Sequence, residues 1–335
     1  MWNPELDNML AARGEPTFRR QQAERAIFKS LISDWEQASD LPAALRTALN
    51  AQAPVVSLTE IGRSQSKRGD SIKCLLSSPD GQRIETVLLQ HEDGRNTVCV
   101  SSQAGCPMRC AFCATGQQGL QRNLTSREIV EQVLHFARQL QTQNQRVSNV
   151  VFMGMGEPFH NYDQVLTAAR QLNSTDGLGI AARKISISTC GLVPGIRRLT
   201  DEPEQFNLAI SLHAPTDECR SRLMPVNDAY PIATVMAEIE RYTARTNRQV
   251  MFEYLLIDQV NDTQKQADQL AELLGHNPLY HVNLIRYHRT GEFIPSPQER
   301  RDAFYDRLKK RGLSVTHRVS FGEDIKAACG MLAGK

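Results

Sequence analysis

No apolar run in this 335-residue chain approaches the roughly 18 residues that suggest a membrane span. The opening "MWNPELDNML" lacks the basic start and apolar stretch of a signal peptide. The sequence therefore reads as a cytoplasmic protein. Disulfide staples are rare in that compartment, so the eight cysteines point to metal or redox chemistry. No sign of charge dominates either. With 39 Lys and Arg against 37 Asp and Glu, the net charge of +2 does not by itself identify a nucleic-acid binder. Basic pairs such as Arg19/Arg20, and the run Arg307, Lys309, Lys310 and Arg311, read first as solvated surface. Internal repeats and low-complexity segments are absent. What remains is ordinary globular composition, 41% hydrophobic and 23% charged. The length suits one large catalytic domain with a small appendage.

The pattern along the chain divides it. Residues 1–52 look helical: "FRRQQAERAIFKSLI" spaces apolar residues at helical intervals, and "LPAALRTALNAQ" suggests another helix. Over 53–96, "PVVSLTEIG", "DSIKCLLSS" and "RIETVLLQ" read as strands, with "PDG" and "EDG" as turns. From 97 to 320, strand-like and helix-like segments alternate through six βα units and a last strand at "LSVTHRVS". Such alternation predicts an α/β fold, a parallel sheet with helices outside. Six units suit an open partial (βα)6 barrel of the TIM type, with chemistry on the loops after the strands. Residues 321–335 form a C-terminal segment.

The first such loop reads "QAGCPMRCAFCATG". Cys106, Cys110 and Cys113 stand at CxxxCxxC spacing, and no fourth cysteine follows. Closed zinc sites take four ligands, often in paired CxxC units, and no second CxxC occurs. Three buried free cysteines so close together are improbable by composition. A four-iron cluster held by three thiolates keeps one iron open for a substrate or cofactor.

This loop resembles that of the radical S-adenosylmethionine (SAM) superfamily, in which SAM chelates the open iron. The resemblance implies a [4Fe-4S] cluster on Cys106, Cys110 and Cys113, and places Phe112 near the adenine of SAM. "GMGEP" at 154–158 resembles the superfamily's Gly-rich SAM-binding stretch. "SSQAGC", "FCATG", "NLT", "GMGEP", "SLHAP", "MPVN", "VND", "VNLI" and "AACGMLAG" occur in the order found in RlmN/Cfr-type adenine methyltransferases of ribosomal RNA. The likeness covers nearly the whole chain, and "LYHVNLIRY", "SIST" and "EPTFRRQQ" lean toward Cfr.

The resemblance implies a particular chemistry. The amidine carbons of adenine, positions 2 and 8, are poor nucleophiles, so the family carries the methyl group on a cysteine. A thiolate takes the methyl from one SAM. A second SAM is cleaved to a carbon radical that activates the S-methyl group for addition to the base. A second thiol releases the adduct and leaves a transient disulfide. Carried over residue by residue, Cys329 in "AACGMLAG" is the methyl carrier and Cys99 in "TVCVSSQAGC" the resolving thiol. Each alone reads as a buried cysteine; Cys74, Cys190 and Cys219 match no motif. Glu85 in "RIETVLL" corresponds to a proton acceptor, which loss of a ring proton requires. For SAM, the carry-over selects Gly156, Glu157, Ser188, Ser211, Leu212 and His213. At one position the chain departs: His288 stands where the family usually has Asn, and imidazole lacks the amide's paired donor and acceptor. That position is still expected in the pocket. The loop "RTGEFIPSP" is short for the family.

The implied function is methylation of an adenosine ring carbon, 2 or 8, of 23S ribosomal RNA near the peptidyl-transferase centre, with transfer RNA as a second substrate. The target must be unstacked, and the N-terminal helical domain is the natural RNA contact. The implied cofactors are the cluster and two SAM per turnover. The implied partners are RNA and an external electron donor such as flavodoxin or ferredoxin, with the enzyme a monomer. Another radical SAM enzyme, such as a glycyl-radical activase, has no need of both Cys99 and Cys329. A non-catalytic iron–sulfur or RNA-binding module has no need of "GMGEP", "SLHAP" and the C-terminal cysteine together.

Overall fold

The structure is a computed structural model and describes residues 2–334. The chain opens with three helices, α1 (Pro4–Ala12), α2 (Thr17–Phe28) and α3 (Ala43–Gln52). Asn3 caps α1 by accepting from the Leu6 amide. The fully buried Trp35 anchors this unit, and its indole N–H donates to the Ala53 carbonyl at 2.7 Å.

Strands β1 (Thr59–Gln65), β2 (Ser71–Ser77) and β3 (Arg83–Gln90) follow as an antiparallel meander. They are not a separate sheet. β3 pairs with β4 (Asn96–Cys99), so the meander extends the main sheet. After β4 comes a small hairpin, β5 (Gln103–Gly105) and β6 (Leu120–Asn123), enclosing the cysteine loop. The remaining order is α4 (Ser126–Gln141), β7 (Asn149–Phe152), α5 (Tyr162–Asn173), β8 (Ile185–Thr189) and α6 (Val193–Asp201). Then come β9 (Asn207–Ser211), α7 (Asp217–Leu223), α8 (Ile232–Thr246), β10 (Val250–Leu256), α9 (Gln264–Leu274), β11 (Tyr280–Arg286), α10 (Gln298–Lys310) and β12 (Ser314–His317).

The ten-stranded sheet runs β1-β2-β3-β4-β7-β8-β9-β10-β11-β12. Every pair from β4 to β12 is parallel. The sheet is therefore the expected open barrel of six βα units and a last strand, with an antiparallel extension on one edge. Neither β5–β6 nor α7 stands out in the sequence: the hairpin strands are three and four residues long, too short for periodicity. Among the described residues, no helix is long and apolar enough to cross a membrane.

Helix α4 joins the extension to the barrel. A capping box between Thr125 and Glu128 starts it, and its buried apolar stripe packs on the sheet. On its outer side, buried Glu131 accepts from the amides of Ser57 and Leu58 at 2.7 and 3.0 Å and pairs with Arg127 at 2.7 Å. A buried carboxylate so fully hydrogen-bonded fixes the chain just before β1 against the core.

Candidate active site

The loops after β4, β7, β8 and β9 meet with strand β10 and the C-terminal segment around one open cleft of about 1110 Å³ of atom-free space, its solvent-facing mouth included. The cysteine loop is shaped first. Ser101 donates its amide to Gln132 of α4 at 2.8 Å, and Gln132 returns a bond to the Ser101 carbonyl at 3.0 Å. The Ser101 hydroxyl accepts from the Met155 amide at 2.9 Å. Asn161 donates to the carbonyls of Ser102 and Leu124, tying both ends of the hairpin together. Gly105 lies at φ +76°, and a Cβ there would sit 1.9 Å from the Gly119 carbonyl oxygen, so the hairpin closes only with glycine.

Cys106, Cys110 and Cys113 all line the cleft. Burial pushes all three thiols above their ordinary pKa, Cys106 to about 12. Among the described residues, the trio of ligand atoms gathered within 4.8 Å of one another is Glu60, Cys74 and His135, outside the cleft. The cysteine triplet is spread more widely. That spread disfavours a single tetrahedral ion and fits the separate iron atoms of a cluster. Soft thiol ligands facing one cleft, with open space before them, fit a [4Fe-4S] cluster with one iron left for SAM.

The SAM positions divide by what their atoms already do. Gly156 has φ +101°, and a Cβ there would meet the Gln103 side chain at 2.6 Å. Glu157 is buried, and its two oxygens accept from the amides of Phe159 (3.0 Å) and Cys190 (2.8 Å). Its own amide donates to Gln103 Oε1 at 2.8 Å. Burial raises the Glu157 pKa against these bonds. The "GEP" carboxylate thus stitches the β7 loop to the β8 loop. Ser188 and Ser211 line the cleft at the ends of β8 and β9.

His213 lies at φ +57° and is buried. Its Nδ1 accepts from the Leu255 amide at 3.1 Å, so Nε2 carries the ring proton. Burial lowers its pKa to about 3 and keeps the ring neutral. Phe112 meets it edge to face at 4.8 Å. Below these loops sits Arg220, fully buried with no carboxylate partner. It donates to the carbonyls of Leu212, Tyr230, Cys190 and Ser211 and to Asn227 Oδ1. Five bonds to loop atoms make it a fixed peg for the β8 and β9 loops.

Cys99 and Cys329 both line the same cleft, although 230 positions separate them in the chain. Cys99 ends β4, paired with Val87 of β3 and Val151 of β7. Burial pushes its thiol up to about 12. Cys329 lies in a tail without helix or strand.

Three expected positions stand elsewhere. Leu212 is fully buried and its side chain does not reach the cleft; its amide donates to the Glu253 carbonyl. His288 lines a smaller adjoining pocket with Arg318 and Cys329 rather than the main cleft. Both its ring nitrogens are engaged, by Glu323 and Ser320 at 3.3 Å each, so its imidazole is spent locally. Glu85 is buried beyond the cleft lining. Its Oε1 pairs with Lys73 Nζ at 2.8 Å, and its Oε2 accepts from the amides of Ala333 (2.6 Å) and Gly334 (3.2 Å). The tail covers it.

Two charged cleft residues escaped the sequence reading, Glu253 of β10 and Arg318 just after β12. The first had a signal: in "QVMFEYLLID" a carboxylate interrupts an apolar strand, and a buried charge needs a partner. Arg318 had none, because nothing nearby in sequence sets it apart from surface arginine.

The comparisons agree with this fold. Residues 100–274 match the family model described as the Radical SAM superfamily. A Chloroflexus aurantiacus protein named "Probable dual-specificity RNA methyltransferase RlmN" is 46% identical over 99% of this chain and 91% of its own length. A Geobacillus kaustophilus protein of the same name is 43% identical over 99% and 90%. A crystal structure of a radical SAM methyltransferase from Sphaerobacter thermophilus superposes with a TM-score of 0.96 at 44% identity, covering 100% of this chain and 98% of that one. Both curated relatives carry the RlmN name, not the Cfr name toward which three stretches of the sequence lean. With these matches spanning nearly its whole length, the chain belongs to the radical SAM superfamily and, within it, to the RlmN/Cfr-type RNA methyltransferases.

Proposed function

We propose that the protein methylates carbon 2 of an adenosine in 23S ribosomal RNA near the peptidyl-transferase centre, and an adenosine of transfer RNA, through a methyl-cysteine at Cys329. The observation that carries this reading is the meeting of Cys99 and Cys329 on the cleft that the cysteine triplet lines. The RlmN name and "dual-specificity" wording of the curated relatives support carbon 2 and two kinds of RNA.

The cluster, when bound, supplies the one-electron chemistry that carbon methylation needs, with one SAM consumed for the methyl group and another for the radical. Cys106, Cys110 and Cys113 hold it. The backbone at Gly156, Ser188, Ser211 and the Nε2–H of His213 offer polar contacts to SAM, with Phe112 against its adenine. Cys329 accepts the methyl group as a thioether. Cys99, held at the end of β4, attacks the carrier sulfur and frees the product. Glu85 takes the ring proton once the tail has left its carboxylate. The helices of residues 2–52 contact RNA, an external flavodoxin or ferredoxin supplies electrons, and the enzyme works as a monomer.

Anaerobic reconstitution followed by incubation with SAM, a reductant and unmodified ribosomal RNA tests this reading. Mass spectrometry of RNA digests is expected to find 2-methyladenosine. 8-Methyladenosine would overturn the choice of carbon. SAM cleavage without any methyladenosine would overturn the ribosomal substrate.

A further inference from the structure

We propose that Arg318 is the positioning residue of the two-thiol chemistry: its guanidinium holds the negative charge that Cys329 and Cys99 carry when each attacks. This inference rests on the carrier and resolver roles proposed above.

Arg318, Cys99, Cys329, Glu253 and Met153 line one cleft. Arg318 leaves β12 with its amide donating to the Leu284 carbonyl at 2.8 Å, which fixes the backbone on β11. Its Nη1 lies 3.3 Å from Glu253 Oε2. Glu253 is itself fixed, because its Oε1 accepts from Asn283 at 3.1 Å and Asn283 Oδ1 accepts from Thr316 at 2.7 Å. The guanidinium's other partner is Met153 Sδ, 3.4 Å from both terminal nitrogens. A thioether is a weak acceptor, and a guanidinium carries five N–H donors. One carboxylate contact at 3.3 Å and one thioether leave N–H donors over on a guanidinium that is a quarter exposed to the cleft. Sulfur anions in the same cleft complete the set.

The electrostatics run the same way. Negative charge on Cys329 is the largest influence raising the Arg318 pKa, with Glu253 and Cys99 behind it. Arg318 in turn opposes the burial that pushes the Cys99 thiol up. The titratable groups facing the guanidinium are thus Glu253 from β10, Cys99 from β4 and Cys329 from the tail, with His91 also within its field.

Both covalent steps begin from a sulfur anion. In methyl uptake the Cys329 thiolate forms a bond to the methyl carbon, and the bond from that carbon to the sulfonium breaks with its electron pair left on the departing sulfur. In release the Cys99 thiolate forms a bond to Cys329 sulfur. The bond from that sulfur to the methylene carbon breaks, its pair goes to the base, and the base takes a proton. The thiols are oxidised to a disulfide and the methylene carbon is reduced. In each case a cation fixed in the cleft that both sulfurs line raises the thiolate fraction and aims the attack.

The test is alkylation of the anaerobic, cluster-loaded enzyme with iodoacetamide across a pH series, read at the Cys99 and Cys329 peptides by mass spectrometry. Arg318→Met is expected to slow alkylation of both thiols about tenfold across the series, with both peptides labelled in full once the protein is unfolded. Arg318→Lys, which keeps a point charge, is expected to restore most of that rate. If Arg318→Met is poorly folded because Glu253 is left unpaired, the double variant Arg318→Met/Glu253→Gln reads the same rates, and iron content certifies the site. Superimposable profiles overturn the inference. Slowing that Arg318→Lys does not restore also overturns it, since it reports packing alone. Failure of the underlying reading shows separately, as absence of a methyl group on Cys329 of the wild-type enzyme after incubation with SAM.

Discussion

The two reactive thiols sit in opposite kinds of structure. Cys99 closes a strand with neighbours on both sides, deep in a ten-stranded sheet. Cys329 hangs on a tail held by a few contacts: Gly330 O to the Ala114 amide, Leu332 O to Thr115, Ala333 O to Gln118, and two amides on Glu85. Ladder hydrogen bonds in a buried sheet open only with the core, whereas a handful of loop contacts opens at far lower cost. The division matches the labour proposed for each. A carrier must meet a methyl donor and then a base, while a resolver has to wait in one place.

The largest expected effect separates the two thiols outright. Cys329→Ala should abolish methylation and form no protein–RNA adduct. Cys99→Ala should instead trap the covalent adduct, visible as a shifted band on a denaturing gel and as a mass increment on the Cys329 peptide. Equal outcomes for the two variants would break the comparison. Glu85→Gln comes next. An amide cannot take the ring proton, so product formation should fall about 100-fold or more, while SAM cleavage without RNA persists.

A smaller change sharpens the contrast by loosening only the tail. Gln118→Ala removes the 2.6 Å bond to the Ala333 carbonyl, worth about 1 kcal/mol. Alkylation of Cys329 should quicken up to about fivefold, with Cys99 unmoved. A further effect, on stability rather than reactivity, lies in the fixed half of the site. The folded His213 pKa of about 3 lies below the ordinary 6.5. The unfolded chain therefore binds a proton that the folded one refuses, and stability falls as pH drops from about 6.5 toward 3. His213→Gln should flatten the pH dependence of the denaturant midpoint across that window.

Much of this architecture is visible in sequence because it repeats locally. Each barrel strand is a short apolar run followed by an amphipathic helix, so "VSNVVFMG" or "FNLAISLH" can be placed without the rest of the chain. The cysteine triplet is legible for the same reason, since its spacing lies within eight residues. Long-range features are not. The tail's cover over Glu85 joins residues some 248 positions apart. The diversion of His288 into a side pocket depends on Glu323 and Ser320 arriving from beyond β12. Arg220 looks like any helical arginine until its five loop partners are seen.

The bond between Glu85 and the chain's own amides also sets an order of events. With Glu85 as the proton acceptor proposed above, one of its oxygens is occupied by Ala333 and Gly334 and the other by Lys73. No base edge can use that carboxylate while the tail is seated. The tail thus acts as a stand-in for the substrate: it keeps one carboxylate oxygen bonded in the resting enzyme and must vacate its place before the nucleobase can take it. Arrival of RNA and departure of the chain end become one exchange rather than two independent steps.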